Sequence, residues 1–169
     1  MTPTDYNHTL THLNVAKRLG QQAPHKSILL LSVIDLVEGG QITSPSFELT
    51  EALEKKFQQN WKRYVGVSVA FKPVVATPFW HMQHEPFWRL RRKDGQAVET
   101  SDSTPSIGQV RAMGIVADID KDLFDLMKDE SARAQMRTTL ISTYLRQTQR
   151  QIRKALPMVI GFICTRLFV

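Results

Sequence analysis

The chain has 169 residues, with 22 Lys and Arg against 16 Asp and Glu, a net charge of +6 and a pI near 9.7, and it is 42% hydrophobic and 22% charged. That balance excludes a disordered polymer, and one cysteine, Cys164, excludes an intrachain disulfide framework or a cysteine-built zinc site. The longest apolar run, Leu156–Cys164, is shorter than the ~20 residues a spanning helix needs.

Asp5–Leu19 reads as a helix, with Leu10, Leu13, Ala16 and Leu19 near helical spacing. Gly20 and Pro24 break it. A second helix is expected from Pro24 or His25 to Val37, buried on most sides because its apolar content is nearly continuous, and stopped by Gly39-Gly40. After a short extended connection, Ile42–Leu49, Thr50 has the character of an N-cap, with Glu51 and Glu54 in the following first turn. The helix Glu51–Tyr64 carries the stripe Leu53, Phe57, Trp61, Tyr64.

Phe71–Arg92 is rich in prolines and aromatics and is expected to form extended strands in a small antiparallel hairpin, with Lys93-Asp94-Gly95 as the turn. Ser101–Gln109 reads as a polar loop, and Gln109–Val116 as either a short helix or a strand. Asp120 begins a helix holding Leu123, Phe124 and Met127. A further helix, Ser131–Leu145, buries Met136, Leu140, Ile141 and Tyr144. The expected architecture is one domain, mainly α with a small antiparallel β element (α+β), over residues 1–145. Residues 146–169 are expected to form a basic then apolar extension packed on it. Its cations Arg146, Arg150, Arg153 and Lys154 sit at helical spacing.

The basic excess points to a polyanionic partner, nucleic acid before membrane. With no signal-peptide pattern in Met1–Asp5, the expected location is the cytoplasm, without membrane association. Catalytic constellations are not expected. Asp118 and Asp120 lie at a helix start, where Asp120 serves as a cap, and Glu51 and Glu54 have the same explanation. His8 and His12 are at helical spacing but lack the glutamate of a metalloprotease helix, and His81 and His84 have no cysteine partners, so neither a metal nor a cofactor is expected. The stronger signal is Arg89, Arg91, Arg92 and Lys93 following Phe87-Trp88. On a strand, Trp88 and Leu90 face the core while Arg89 and Arg91 face outward, where guanidinium forks suit phosphate oxygens and guanine edges. A solvated charged strand reads the same way.

Ala23-Pro24-His25-Lys26 running into Ile28-Leu29-Leu30-Leu31 resembles the sulfur-binding domain that precedes HNH nuclease domains in phosphorothioate-dependent bacterial restriction enzymes. Pro78-Phe79-Trp80-His81-Met82, followed by Phe87-Trp88-Arg89-Leu90, is similar to that family's "PFWHL" and downstream "FW-x-L" segments. Asp118–Leu145 is similar to its closing helices. The resemblance implies binding of double-stranded DNA carrying phosphorothioate linkages, the sulfur entering a small nonpolar cavity at the Ala23-Pro24-His25-Lys26 turn with Ser27. With that turn reading the sulfur, Lys26, Arg89, Arg91, Arg92 and Lys93 are expected to contact phosphates and His81 to stand near the same site. The loop Ser101–Gln109 and the turn at Lys93 would reach base edges. Sulfur is softer and less well hydrated than oxygen, so an apolar wall costs it less. Ser27 stands where the family often has a second proline, and Ala23 where it has a bulkier residue, which would make the cavity wider or more polar. Nothing after Tyr144 supplies an HNH unit, so a binding module rather than an enzyme is expected, with a nuclease domain or subunit as a further partner. A protein-interaction domain docking through Leu156–Phe168, and a DNA-binder indifferent to sulfur, are the alternatives.

Overall fold

A computed structural model describes residues 3–68, 70–98 and 103–146. Among these, seven helices surround a small antiparallel sheet. The extension expected at 146–169 lies outside the described residues apart from Arg146.

The first helix, α1, spans only Pro3–Thr11. The helix expected to run on to Leu19 is replaced by a β-hairpin of β1 (Lys17–Arg18) and β2 (Gln21–Gln22). Leu19 and Gly20 hold φ of 51° and 73°, the pair of positive values a type I′ turn requires, so the chain reverses where helical spacing would continue it. The Leu13 amide donates to the Tyr144 hydroxyl at 2.9 Å and the Asn14 amide to Glu85 Oε1 at 3.0 Å. Distant side chains thus satisfy the backbone that leaves α1.

Helix α2 spans His25–Glu38 and is the core of the molecule, buried from Lys26 to Ile34 and again at Leu36 and Val37. Its end at Gly39-Gly40 is as its sequence implies. Strand β3 (Ser46–Glu48) leads into α3 (Glu51–Tyr64), which the Thr50 side chain caps by accepting from the Leu53 amide at 3.2 Å. Leu53, Phe57 and Trp61 turn inward against α2, and Tyr64 packs half-buried at the edge.

The expected hairpin within Phe71–Arg92 is corrected. Residues Ala76–His81 form α4, which continues as a 3₁₀ turn through Met82–His84. Pro78 does not oppose this, because it stands in the first turn, where an amide hydrogen has no intrahelical partner to lose. Strand β4 (Trp88–Arg92) does turn at Lys93-Asp94-Gly95, with Gly95 at φ 76°. Its partner, however, arrives only after the short helix α5 (Ile107–Ala112), as β5 (Ile115–Ile119). The undecided stretch Gln109–Val116 is therefore helix first and strand second. The Ser106–Gln109 capping box sets the helix start and Gly114, at φ 60°, separates the two elements.

The sheet order is β3-β5-β4, all antiparallel, with Phe47 opposite Ala117 and Leu90 opposite Ala117 on the other side. Helices α6 (Lys121–Lys128) and α7 (Glu130–Leu140, with a π turn through Ile141–Leu145) close the core. Met136, Leu140 and Tyr144 are buried, whereas Ile141 is only half-buried. The fold is the expected mainly-α domain with a small antiparallel sheet.

Candidate functional site

Two segments far apart in sequence meet at one concavity. The walls of a pocket of about 440 Å³ include Val15, Ala16, Ala23, His25 and Lys26 from the first and Phe71, Thr77, Pro78, His81 and His84 from the second. The hairpin strands bring Ala16 and Ala23 side by side, the Ala23 amide donating to the Ala16 carbonyl at 2.8 Å. α4 brings Pro78 and His81. Ala23, Val15, Pro78 and Phe71 make much of this surface apolar, and the positive N-terminal end of α2 opens beside it.

His25 is the first residue of α2. Its Nε2 bonds the Lys72 carbonyl at 2.7 Å, and its ring lies 4.8 Å from Trp61 and 5.6 Å from Phe71, centroid to centroid. Burial against these rings lowers its pKa below 6.5, the Lys72 carbonyl opposing in part, so the imidazole is neutral at pH 7. With a carbonyl on Nε2 the proton belongs there, and Nδ1 carries the lone pair.

Lys26, expected to contact phosphate, lines the concavity at the start of α2. Its side chain is buried, and its ammonium forms an ion pair with the buried carboxylate of Glu85. Pro24 and Ser27 are also buried, outside the lining; the Pro24 carbonyl accepts from Ser27 Oγ at 2.8 Å and from the Ile28 amide at 3.0 Å. Of the five residues at the turn, Ala23, His25 and Lys26 thus face the concavity. His81 faces it too; its Nε2 bonds Thr104 Oγ1 at 2.8 Å and its ring stacks on His84 at 6.0 Å.

The basic strand carries its charges in pairs. Trp88 and Leu90 do turn inward and Arg89 and Arg91 outward, but none of the four cations is a bare charge. Arg89 pairs with Asp120 and Arg91 with Asp118, each at 2.7 Å; Arg92 pairs with Asp94 and Lys93 with Glu48, also at 2.7 Å. Each strand arginine reaches the diagonal neighbour on β5 or just beyond it. Arg89 lies opposite Asp118 and bonds Asp120, and Arg91 lies opposite Val116 and bonds Asp118. Asp118 also accepts from Ser46 Oγ. The cap expected of Asp120 is corrected: its side chain makes no capping bond to α6, because it takes the charge-assisted bond from Arg89 and accepts from the Tyr6 hydroxyl at 3.2 Å. Burial and this carboxylate push the Tyr6 pKa up to about 12.

The sequence reading passed over a different set of cations. Lys17, Arg18 and Lys72 are exposed and make no ion pair with another described residue. Lys17 and Lys72 directly adjoin pocket residues in the chain, following Ala16 and Phe71, and Arg18 follows Lys17. The signal available for them was charge next to the Ala23-Pro24-His25-Lys26 turn, hidden by reading Asp5–Leu19 as one helix.

The loop at 101–109 divides. Residues 101 and 102 lie outside the described residues, while Ser103, Pro105 and Gln109 line a second pocket of about 440 Å³ with Trp80 and Arg92. His8 and His12 stack at 4.3 Å, with His12 Nδ1 on the His8 carbonyl at 2.9 Å. Among the described residues no group of three or more His, Cys, Asp or Glu is placed to hold a metal ion, and no helix is long and apolar enough to cross a membrane.

Over residues 3–156 the chain matches the family described as ScoMcrA-like, DNA sulfur-binding domain. No curated protein is similar enough to count as a match. Three solved structures share its fold. The sulfur-binding domain of ScoMcrA complexed with phosphorothioated DNA is 18% identical, with a TM-score of 0.61 over 82% of this chain and 86% of that one. The sulfur-binding domain of SprMcrA complexed with phosphorothioated DNA is 16% identical, with a TM-score of 0.64 over 85% and 86%. A longer piece of ScoMcrA, its sulfur-binding and SRA domains with phosphorothioated DNA, is 17% identical at a TM-score of 0.61, over 82% of this chain and 42% of that one.

Proposed function

The chain belongs to the family of ScoMcrA-like DNA sulfur-binding domains, and from that premise we propose that it binds phosphorothioate-modified double-stranded DNA in a sequence-dependent way, the sulfur entering the pocket between Ala23 and Pro78. The observation that carries this reading is that residues of both sequence motifs, Ala23, His25 and Lys26 from one and Pro78 and His81 from the other, meet in the walls of a single pocket. Ala23, Val15 and Pro78 offer the sulfur a surface that need not be dehydrated at much cost, whereas a phosphate oxygen placed there would lose strong hydration. The first-turn amides of α2 and the ammonium of Lys26, pinned by Glu85, supply positive potential for the remaining oxygens. Neutral His25 completes the wall, and His81 closes it from α4.

In this reading Lys17, Arg18 and Lys72 provide most of the salt-dependent phosphate attraction. Arg89, Arg91, Arg92 and Lys93, each held by a carboxylate, contribute less. The domain is a reader with no chemistry of its own, and cleavage of modified DNA belongs to a separate nuclease domain or subunit.

The test is fluorescence anisotropy with two duplexes of one sequence at physiological salt, one with an Rp phosphorothioate step and one without, repeated over several sequences. Binding of the sulfur duplex tighter by ~10-fold, or about 1.4 kcal/mol, is expected. Equal binding would leave a DNA-binder indifferent to sulfur. Binding to neither would point to a protein-interaction domain.

A further inference from the structure

The hairpin of β1 and β2 carries a feature that the folded protein alone does not use. Leu19, at its tip, is 74% exposed and holds a left-handed backbone at φ 51°. Type I′ turns favour Asn, Asp or Gly at that position, since a residue with a branched apolar side chain gains nothing there and is strained. A single exposed leucine is ordinary, but one held in a left-handed backbone is a local strain of the kind that clusters at binding sites.

What such a site would bind follows from the surroundings. The flanking residues are Lys17 and Arg18 on one strand and Gln21 and Gln22 on the other, paired Lys17 with Gln22 and Arg18 with Gln21. They carry two cations and no anion, and neither cation is ion-paired to a described residue. A Cβ added at Gly20 would meet nothing within 4 Å, so there is open space beside the turn. The hairpin springs from the pocket itself, because Ala16 and Ala23, its base, both line the pocket. From Ala16 to Leu19 the strand covers about 10 Å, at roughly 3.3 Å per residue. A duplex advances ~3.4 Å per base pair on each strand, so that reach is about three base-pair steps.

We propose that the hairpin is a groove probe: with a phosphorothioate in the pocket, Leu19 lies against base edges within about three steps of the modified link, where apolar groups such as the thymine methyl are the available contacts. Lys17 and Arg18 hold the adjacent phosphates, and Gln22 offers its amide group to the same edges. The hairpin thereby makes sulfur recognition depend on the neighbouring bases. This inference rests on the DNA-binding reading of the pocket.

The test uses the full chain and its Leu19→Asn and Leu19→Gly variants. Both replacements suit a left-handed backbone, so their thermal midpoints are expected at or above that of the parent. Anisotropy is measured on Rp phosphorothioate duplexes in which each of three base pairs on either side of the sulfur is varied through all four identities, beside unmodified controls. The parent is expected to spread its affinities by about 10-fold or more over this set. Both variants are expected to compress that spread to a few-fold and to retain the preference for sulfur over oxygen. An unchanged spread in both variants overturns the hairpin proposal and leaves the pocket reading intact. Loss of several degrees of thermal stability in both variants also overturns it, by giving Leu19 a structural role. A parent that spreads its affinities without preferring sulfur would sink the pocket reading while the variants still decide the hairpin. A parent that binds no duplex removes both.

Discussion

The ammonium of Lys26, a residue of the candidate pocket's wall, forms an ion pair with the carboxylate of Glu85, their side chains only 8% and 4% exposed. Glu85 also accepts from the Asn14 amide, so one carboxylate ties α2 to the chain entering the hairpin and to the turn after α4. Removing one partner of a buried pair strands the other. Glu85→Gln is expected to destabilise the fold by about 3–5 kcal/mol, and Glu85→Gln with Lys26→Met to recover part of that loss. Urea unfolding of the three proteins measures it, and a Glu85→Gln protein as stable as the parent would show the pair to be dispensable.

His25 is expected to give the fold a pH dependence of definite sign. Burial against Trp61 and Phe71 lowers its pKa below 6.5, so around that pH the unfolded chain binds a proton that the folded chain does not. Stability is therefore full above the unfolded pKa and falls as pH drops toward the lower folded value. A phosphorothioate anion against the ring favours its protonated form, so affinity for the modified duplex should rise on going from pH of about 7 to about 6. His25→Gln should remove both slopes. Unfolding and anisotropy titrations across that range would read them, and a slope unchanged by the substitution assigns it to another group.

The apolar wall at Ala23 should set the discrimination between sulfur and oxygen. Ala23→Ser adds one hydroxyl with almost no volume. It is expected to weaken binding of the modified duplex by about 5-fold, near 1 kcal/mol, while leaving the unmodified duplex unaffected. Paired titrations give the ratio directly, and equal weakening of both duplexes would mean that Ala23 touches no sulfur.

Ion pairing should divide the cations into two groups. Lys17→Ala or Arg18→Ala is expected to reduce the slope of log affinity against log salt by about 0.9. Arg91→Ala should change it little, because Asp118 already holds that guanidinium, 53% exposed as it is. Asp118→Asn frees Arg91 and should strengthen binding and steepen the salt dependence. Salt titrations of these variants would contradict the division if Arg91→Ala proved the most damaging.

Much of the scaffold was legible locally. The near-continuous apolar run of α2, the Leu53-Phe57-Trp61 stripe of α3 with its Thr50 cap, and the Met136-Leu140-Tyr144 face of α7 announce which sides are buried, because burial repeats with the helical period. The order of the two motifs likewise identified the family. The reversal at Leu19-Gly20 was not legible, since Leu10, Leu13, Ala16 and Leu19 fit a helix and a leucine is the wrong residue to announce a left-handed turn. Nor could the sequence say that Pro78 sits harmlessly in a first turn, or that β4 would wait for β5 across an intervening helix. Which charges are spent on one another was decided by the tertiary fold alone. Asp118 and Asp120 meet Arg91 and Arg89 only because β5 lies beside β4, and Glu85 neutralises Lys26 only because α4 packs on α2. Periodicity encodes the direction a side chain takes from its own element; the partner it finds there depends on where the rest of the chain returns.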